Sequence, residues 1–120
     1  MRRIEFELPL PPSVNQLYPG KVHRYKSDKY YAWERVADID AHAQRLTRAE
    51  WEPTSHKWTL SIMCYMSDKR RDLDNTLKAG VDFIAGFFAL QDLYLRKIVI
   101  ERDWDKNQEQ RWHVVLEIEN

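Results

Sequence analysis

The strongest constraint on the fold is a change of hydrophobic period along the chain. Near the N-terminus Ile4, Phe6 and Leu8 alternate with Glu5 and Glu7, the period of two shown by a half-buried strand. Trp58, Leu60, Ile62 and Cys64 alternate in the same way with Thr59, Ser61, Met63 and Tyr65, and Trp112, Val114, Leu116 and Ile118 share one face of a last strand. Elsewhere the spacing shifts to three and four. Val36, Ile39, Ala43 and Leu46 predict the apolar stripe of a helix over about residues 27–50, with Ser27 or Asp28 as its cap and Pro53 beyond its end. Leu73, Leu77, Val81, Ile84 and Phe88 predict a second helix over about residues 73–88. Residues 97–102, built on Ile98, Val99 and Ile100, read as a further strand, and the polar residues 103–110 as a long hairpin loop. The order is β-α-β-α-β-β, an α+β domain with two helices packed on a mixed sheet.

A chain of 120 residues carries one such core, so a single domain over residues 1–120 is expected. Cys64 is the only cysteine, which excludes an internal disulfide and fits a small buried strand residue. The charge-interrupted N-terminus is no signal peptide, and the most apolar window, residues 81–90, contains Asp82 and is too short to span a bilayer. A cytoplasmic protein with no membrane association is the expectation. The net charge is zero, yet residues 1–80 hold 14 Lys and Arg against 11 Asp and Glu, while residues 81–120 hold 5 against 8. A neutral total therefore conceals a basic region, and nucleic acid responds to the local field.

The chemistry concentrates in residues 68–78. Asp72 and Asp74 flank an apolar Leu73 at a strand-to-helix junction. With Leu73 turned into the core, both carboxylates lie on the outward side, where two close anions favour a neutralising cation. Mg²⁺ suits them, since it takes carboxylate oxygens and binds through one or two of them. Lys78, four residues after Asp74, falls on the same helical face and is placed to meet a phosphate. Lys69, Arg70 and Arg71 form the densest basic run and would hold flanking backbone phosphates. Against this stands a plainer interpretation: an aspartate at a helix start is an ordinary cap, and Asp74, Lys78 and Asp82 form an ordinary charge ladder. Spacing alone leaves both open and identifies no third ligand.

Other chemistries find little support. His23, His42, His56 and His113 lack zinc-ligand spacing, and three glycines provide no phosphate-cradling loop. Five tryptophans and six tyrosines belong mainly to the core. Tyr30 and Tyr31, near the start of the first helix, are the two expected to be exposed and able to stack on unpaired bases.

Asp72-Leu73-Asp74-Asn75 followed by Lys78 resembles the signature of the RusA-type Holliday-junction resolvases, small phage- and prophage-associated endonucleases. Leu8-Pro9-Leu10-Pro11-Pro12-Ser13-Val14-Asn15 resembles the proline-rich N-terminal motif of the same family, closed by its asparagine. Two distant motifs in order, on a chain of the right length, make the resemblance extend over essentially the whole sequence.

The resemblance implies Mg²⁺-dependent hydrolysis of branched DNA by a homodimer that makes paired nicks in a four-way junction, with roles in recombination and repair. It implies a third carboxylate after the second helix, a position matched by Asp92. Family members often carry two adjacent acids there; this chain has Gln91-Asp92. Asp72, Asp74 and Asp92 would then ligate the metal and Lys78 would support catalysis, with Asn15, Asn75, Lys69, Arg70 and Arg71 on the DNA. Nucleases for other branched DNA, and a non-catalytic DNA-binding protein, are the alternatives.

Overall fold

The computed structural model describes residues 1–13, 28–49 and 55–119. Ser27, Asn15 and Pro53, named above as cap, motif and stop residues, lie outside the described residues. The elements are β1 (Arg2–Pro9), α1 (Asp28–Ala43), β2 (Trp58–Tyr65), a 3₁₀ turn (Leu73–Thr76), α2 (Leu77–Phe87), a second 3₁₀ turn (Asp92–Tyr94), β3 (Leu95–Asp103) and β4 (Arg111–Ile118). This is the expected β-α-β-α-β-β order of an α+β fold, with both helices packed on a four-stranded mixed sheet.

The strands lie in the order β1-β4-β2-β3. The chain therefore makes a β2-α2-β3 crossover with β2 and β3 parallel, and β4 inserts antiparallel between β1 and β2. The hairpin expected between β3 and β4 does not form, because β2 separates them; residues 103–110 instead carry the chain across the end of β2. A parallel neighbour cannot be joined by a tight turn, so the helical crossover is obligatory.

The alternating strands put their large apolar residues on one face. Phe6, Val114, Ile62 and Ile100 occupy one row across the sheet, and Leu8, Trp112, Cys64 and Arg102 the next. All but Ile100 and Arg102 of these eight are buried. Burial pushes the Cys64 thiol up from its ordinary pKa, so the protonated form prevails.

The first helix differs from expectation in its length and its buried face. It ends at Ala43, where Arg45 takes a left-handed backbone and the Leu46 amide donates to the Ala41 carbonyl at 3.0 Å, a closing turn of the kind that stops helices. The buried stripe is Tyr30, Trp33, Ala37 and Ala41, whereas Val36 and Ile39 are exposed. Two stripes with the same spacing compete, and the one carrying two large aromatics removes more apolar area from water. Tyr30 is accordingly buried, not exposed as expected, while Tyr31 does lie at the surface. The Trp33 ring meets Phe83 of α2 edge-on, 5.6 Å between centroids.

Residues expected to begin the second helix are a 3₁₀ turn as far as Thr76, after which α2 packs closely on the sheet. Gly80 makes that approach possible. A Cβ there would lie 2.1 Å from Cζ3 of the fully buried Trp112. Gly80→Ala should therefore destabilise the fold by about 1–3 kcal/mol through overpacking. Gly86→Ala, where a Cβ meets nothing within 4 Å, should stabilise it by about 0.5–1 kcal/mol through helix propensity. Thermal melts of the two variants check this: a Gly80→Ala melting point at or above wild type would contradict the packing account.

Candidate active site

The acidic motif lies just past the carboxyl end of β2, a parallel strand feeding a helix, where open α/β arrangements place ligands. A loop in that position has carbonyls without ladder partners. The Arg102 guanidinium provides for three of them: Nε donates to the Met66 carbonyl at 2.9 Å, Nη1 to that of Arg71 at 2.6 Å, and Nη2 to that of Asp68. The Met66 amide donates to the Asp103 carbonyl at 3.0 Å, and the Ser67 amide to Oε1 of Gln110 at 2.8 Å. The path into Asp72 is thus fixed by β3 and by the segment leading into β4.

Arg71 ties this loop to the proline-rich segment. Its Nη2 donates to the Pro11 carbonyl at 2.7 Å, and Nε1 of Trp33 donates to the Pro9 carbonyl at 3.0 Å. Proline carbonyls in a segment short of amide donors need such partners. Burial lowers the Arg71 pKa, but a guanidinium stays charged in proteins. Arg71, expected as a phosphate contact, therefore has a structural bond of its own. Lys69 and Arg70 are exposed. Arg70 reaches back to Asp68, with Nε 3.1 Å from Oδ1, and this bond holds the Asp68 carboxyl below the usual carboxylate range. An exposed pair of this kind is weak and exchangeable.

Asp72 has an extended backbone (φ −83°, ψ 142°) ahead of the 3₁₀ turn and makes no side-chain capping bond. Both aspartates are exposed, on either side of a core-packed Leu73. Asn75 is half-buried, its amide donating to the Asp72 carbonyl at 3.3 Å. Lys78, in the first turn of α2, has Nζ 3.2 Å from Oδ1 of Asp82.

Asp92 does not return beside the other two. It opens the 3₁₀ turn that precedes β3, and the adjacent Gln91 carbonyl accepts from Nε1 of Trp58 at 2.8 Å. Trp58 begins β2, and the register pairs it with Leu95, whereas Tyr65 at the other end pairs with Asp103. Asp72 and Asp74 follow the Tyr65 end and Asp92 precedes β3 beside the Trp58 end, so they lie toward opposite ends of β2, a strand of about 25 Å. Among the described residues no three His, Cys, Asp or Glu side chains form a group able to hold a metal ion. As a donor set the residues suit Mg²⁺, being carboxylates free of thiols or imidazoles, but one chain offers two of them together and the third apart.

A separate cleft of about 380 Å³ is lined by Glu7, Asp40, Gln44, Glu109 and Arg111 among others. Three carboxylates against one guanidinium make it poorly suited to phosphate.

Arg102 is one residue that sequence reasoning missed. A signal for it exists: it continues the core-facing alternation Ile98, Ile100, Arg102, and a charge in that row must be answered by partners. Arg102→Met should destabilise the protein by about 2–4 kcal/mol, since three loop carbonyls lose their donors. Arg102→Lys should not restore it, because an ammonium lacks the planar fork. Hydrogen exchange at residues 67–72 checks the mechanism, which requires faster exchange in both variants.

No curated protein matches the chain. A family model described as Endodeoxyribonuclease RusA matches residues 9–119, a span that holds the proline-rich segment, the Asp72 loop and Asp92 together. The chain belongs to the RusA endodeoxyribonuclease family.

Proposed function

We propose that two copies of this chain form a homodimer that resolves four-way DNA junctions by Mg²⁺-dependent hydrolysis of backbone phosphodiesters. Each site would join Asp72 and Asp74 of one copy with Asp92 of the other. The observation that carries this is the separation of the acids to opposite ends of β2 in a chain of an endonuclease family. A second copy related by a two-fold axis supplies to each acidic pair what its own chain holds a strand length away, and does so twice. Two equivalent sites on a two-fold axis suit paired, symmetric nicks in strands related by the symmetry of a junction.

The roles follow from position. Asp72, Asp74 and Asp92 would hold Mg²⁺, which when bound offsets charge developing on the phosphate and the leaving oxygen. Lys78, at the start of α2 and close to the acidic pair in sequence, would exchange its bond with Asp82 for a phosphate oxygen. Lys69 and Arg70 would take flanking phosphates, Arg70 giving up Asp68 to do so, and Asn75 and Arg71 would line the same approach; Asn15, outside the described residues, would contact DNA on the strength of its motif alone. These contacts carry no base information and set affinity more than choice of sequence. The setting is recombination and repair in the cytoplasm of a bacterium or a phage-infected host. No helix among the described residues is long and apolar enough to cross a membrane.

The first test is cleavage of a labelled four-way junction beside a linear duplex of the same arms, with Mg²⁺ and with EDTA. Symmetric nicking of the junction alone, abolished by EDTA, is expected. Equal cutting of flaps or duplex would replace junction resolution with a broader nuclease activity, and binding without cutting would leave a DNA-binding protein. Asp72→Asn should lower cleavage at least about 100-fold while preserving junction binding. A mixing experiment tests the shared site. Asp72→Asn and Asp92→Asn should each be inactive alone, yet co-refolded mixed dimers should contain one intact site and make single nicks. Inactivity of the mixture, with mixed dimers demonstrated, would assign all three acids to one chain.

A further inference from the structure

Trp33, Trp58 and Trp112 are core residues, but Trp104 leaves 53% of its surface exposed. It follows β3 directly, at the same end of the sheet as the acidic loop. The Arg102 guanidinium carbon lies 3.5 Å from the centre of its ring. That guanidinium also donates to the Arg71 carbonyl at 2.6 Å, the carbonyl of the peptide bond leading into Asp72. Two contacts therefore link the indole to the backbone of Asp72 and place it within about 10 Å of that residue.

A large aromatic left half in water is otherwise a loss of hydrophobic stabilisation. Here the side chain is also held in one orientation. The stacked guanidinium fixes the ring. The backbone behind it is anchored by the Met66 amide on the Asp103 carbonyl and by the Asp105 amide on Oδ1 of Asp103 at 2.9 Å. The result is a rigid, accessible π surface beside two exposed carboxylates.

We propose that Trp104 stacks on a nucleobase exposed at the branch point of the substrate and thereby sets the preference for branched DNA over continuous duplex. This rests on the nuclease reading above. In a continuous duplex each base pair already has neighbours on both faces, and the indole could reach a base only by breaking a stack. At a branch point a terminal pair lacks one neighbour, so the indole adds a stack without removing one. Aromatic stacking of this kind corresponds to about tenfold to a hundredfold in affinity per base. Phosphate contacts from Lys69 and Arg70 are shared by both substrates and cancel in the comparison.

The test compares wild type, Trp104→Phe and Trp104→Leu. Leucine keeps apolar cover over Arg102 but cannot stack. Binding is measured in EDTA to a four-way junction with 2-aminopurine at the crossover and to a linear duplex of the same sequence; cleavage is measured with Mg²⁺. Wild type should quench the 2-aminopurine signal. Trp104→Leu should lose the quenching and bind the junction about tenfold to a hundredfold more weakly, with duplex binding within about threefold and an unchanged melting temperature. Trp104→Phe should retain part of both effects. Unchanged quenching and junction preference in Trp104→Leu would overturn the proposal. So would equal losses on junction and duplex, the mark of a role only in steadying Arg102, or dissociation of the dimer, the mark of a subunit contact. Wild type that neither binds nor cuts the junction would overturn the nuclease reading itself, whereas a Trp104→Leu variant indistinguishable from an active wild type would overturn this inference alone.

Discussion

A single guanidinium organises the end of the sheet where the candidate chemistry lies. Arg102 occupies a core-facing position on β3, in the row of Leu8, Trp112 and Cys64, yet its donors are spent on the carbonyls of Met66, Asp68 and Arg71. A charge at the margin of an apolar core is tolerable only when its donors are satisfied, and a loop carbonyl there is tolerable only when it finds a donor. Each requirement answers the other. Because the three carbonyls lie on the approach to Asp72, the bargain that keeps the core stable also fixes the path of the acidic loop. Arg71 extends it to the Pro11 carbonyl, so the two motifs that mark the family in sequence are joined by one hydrogen bond across 60 residues.

The same crossover that presents Asp72 and Asp74 keeps Asp92 away from them. A β2-α2-β3 unit of parallel strands must carry the chain back along the strand before β3 can start. A residue leaving β2 and a residue entering β3 therefore face opposite ends of the sheet, whatever their side chains. The 11 residues of α2 span about 16 Å, which covers most of that return. The Trp58 indole bond to the Gln91 carbonyl holds the turn of Asp92 at the far end. The homodimer proposed above would answer the separation without changing the fold, since it would set the beginning of one crossover against the end of another.

How much of this was legible in the sequence depended on what each residue's role rests on. Strand positions such as Leu60, Ile62 and Val114 were readable because alternation against polar neighbours has one physical interpretation. The first helix was misread in its face, since Val36 and Ile39 share a spacing with Tyr30, Trp33, Ala37 and Ala41, and only packing against Phe83 decides between them. The pairing of β3 was hidden because a strand's neighbour is a property of the whole sheet; residues 103–110 look the same whether they close a hairpin or cross over β2. Asp72, Asp74 and Lys78 were identifiable as a local motif with a chemical rationale. Arg102 and Trp104 were not, because the first works through backbone carbonyls that any loop sequence supplies, and the second matters for its exposure.

The neutral total charge also takes on a different meaning once partners are assigned. Arg102 is committed to loop carbonyls, Arg71 to Pro11, and Arg111 to Glu7 and the face of Tyr65. Near the acidic loop the exposed cations are Lys69, Arg70 and Lys78; Asp68 already answers Arg70 and Asp82 answers Lys78. A protomer so arranged has a weak hold on phosphate, since affinity for duplex grows with the number of phosphates neutralised. Modest electrostatic attraction would suit the proposed junction-selective enzyme, which must pass over the continuous duplex around its substrate. In the proposed dimer, discrimination would then fall to shape, to the two-fold spacing of the sites and to contacts available only where a helix is interrupted, which is where an exposed indole such as that of Trp104 would have something to bind.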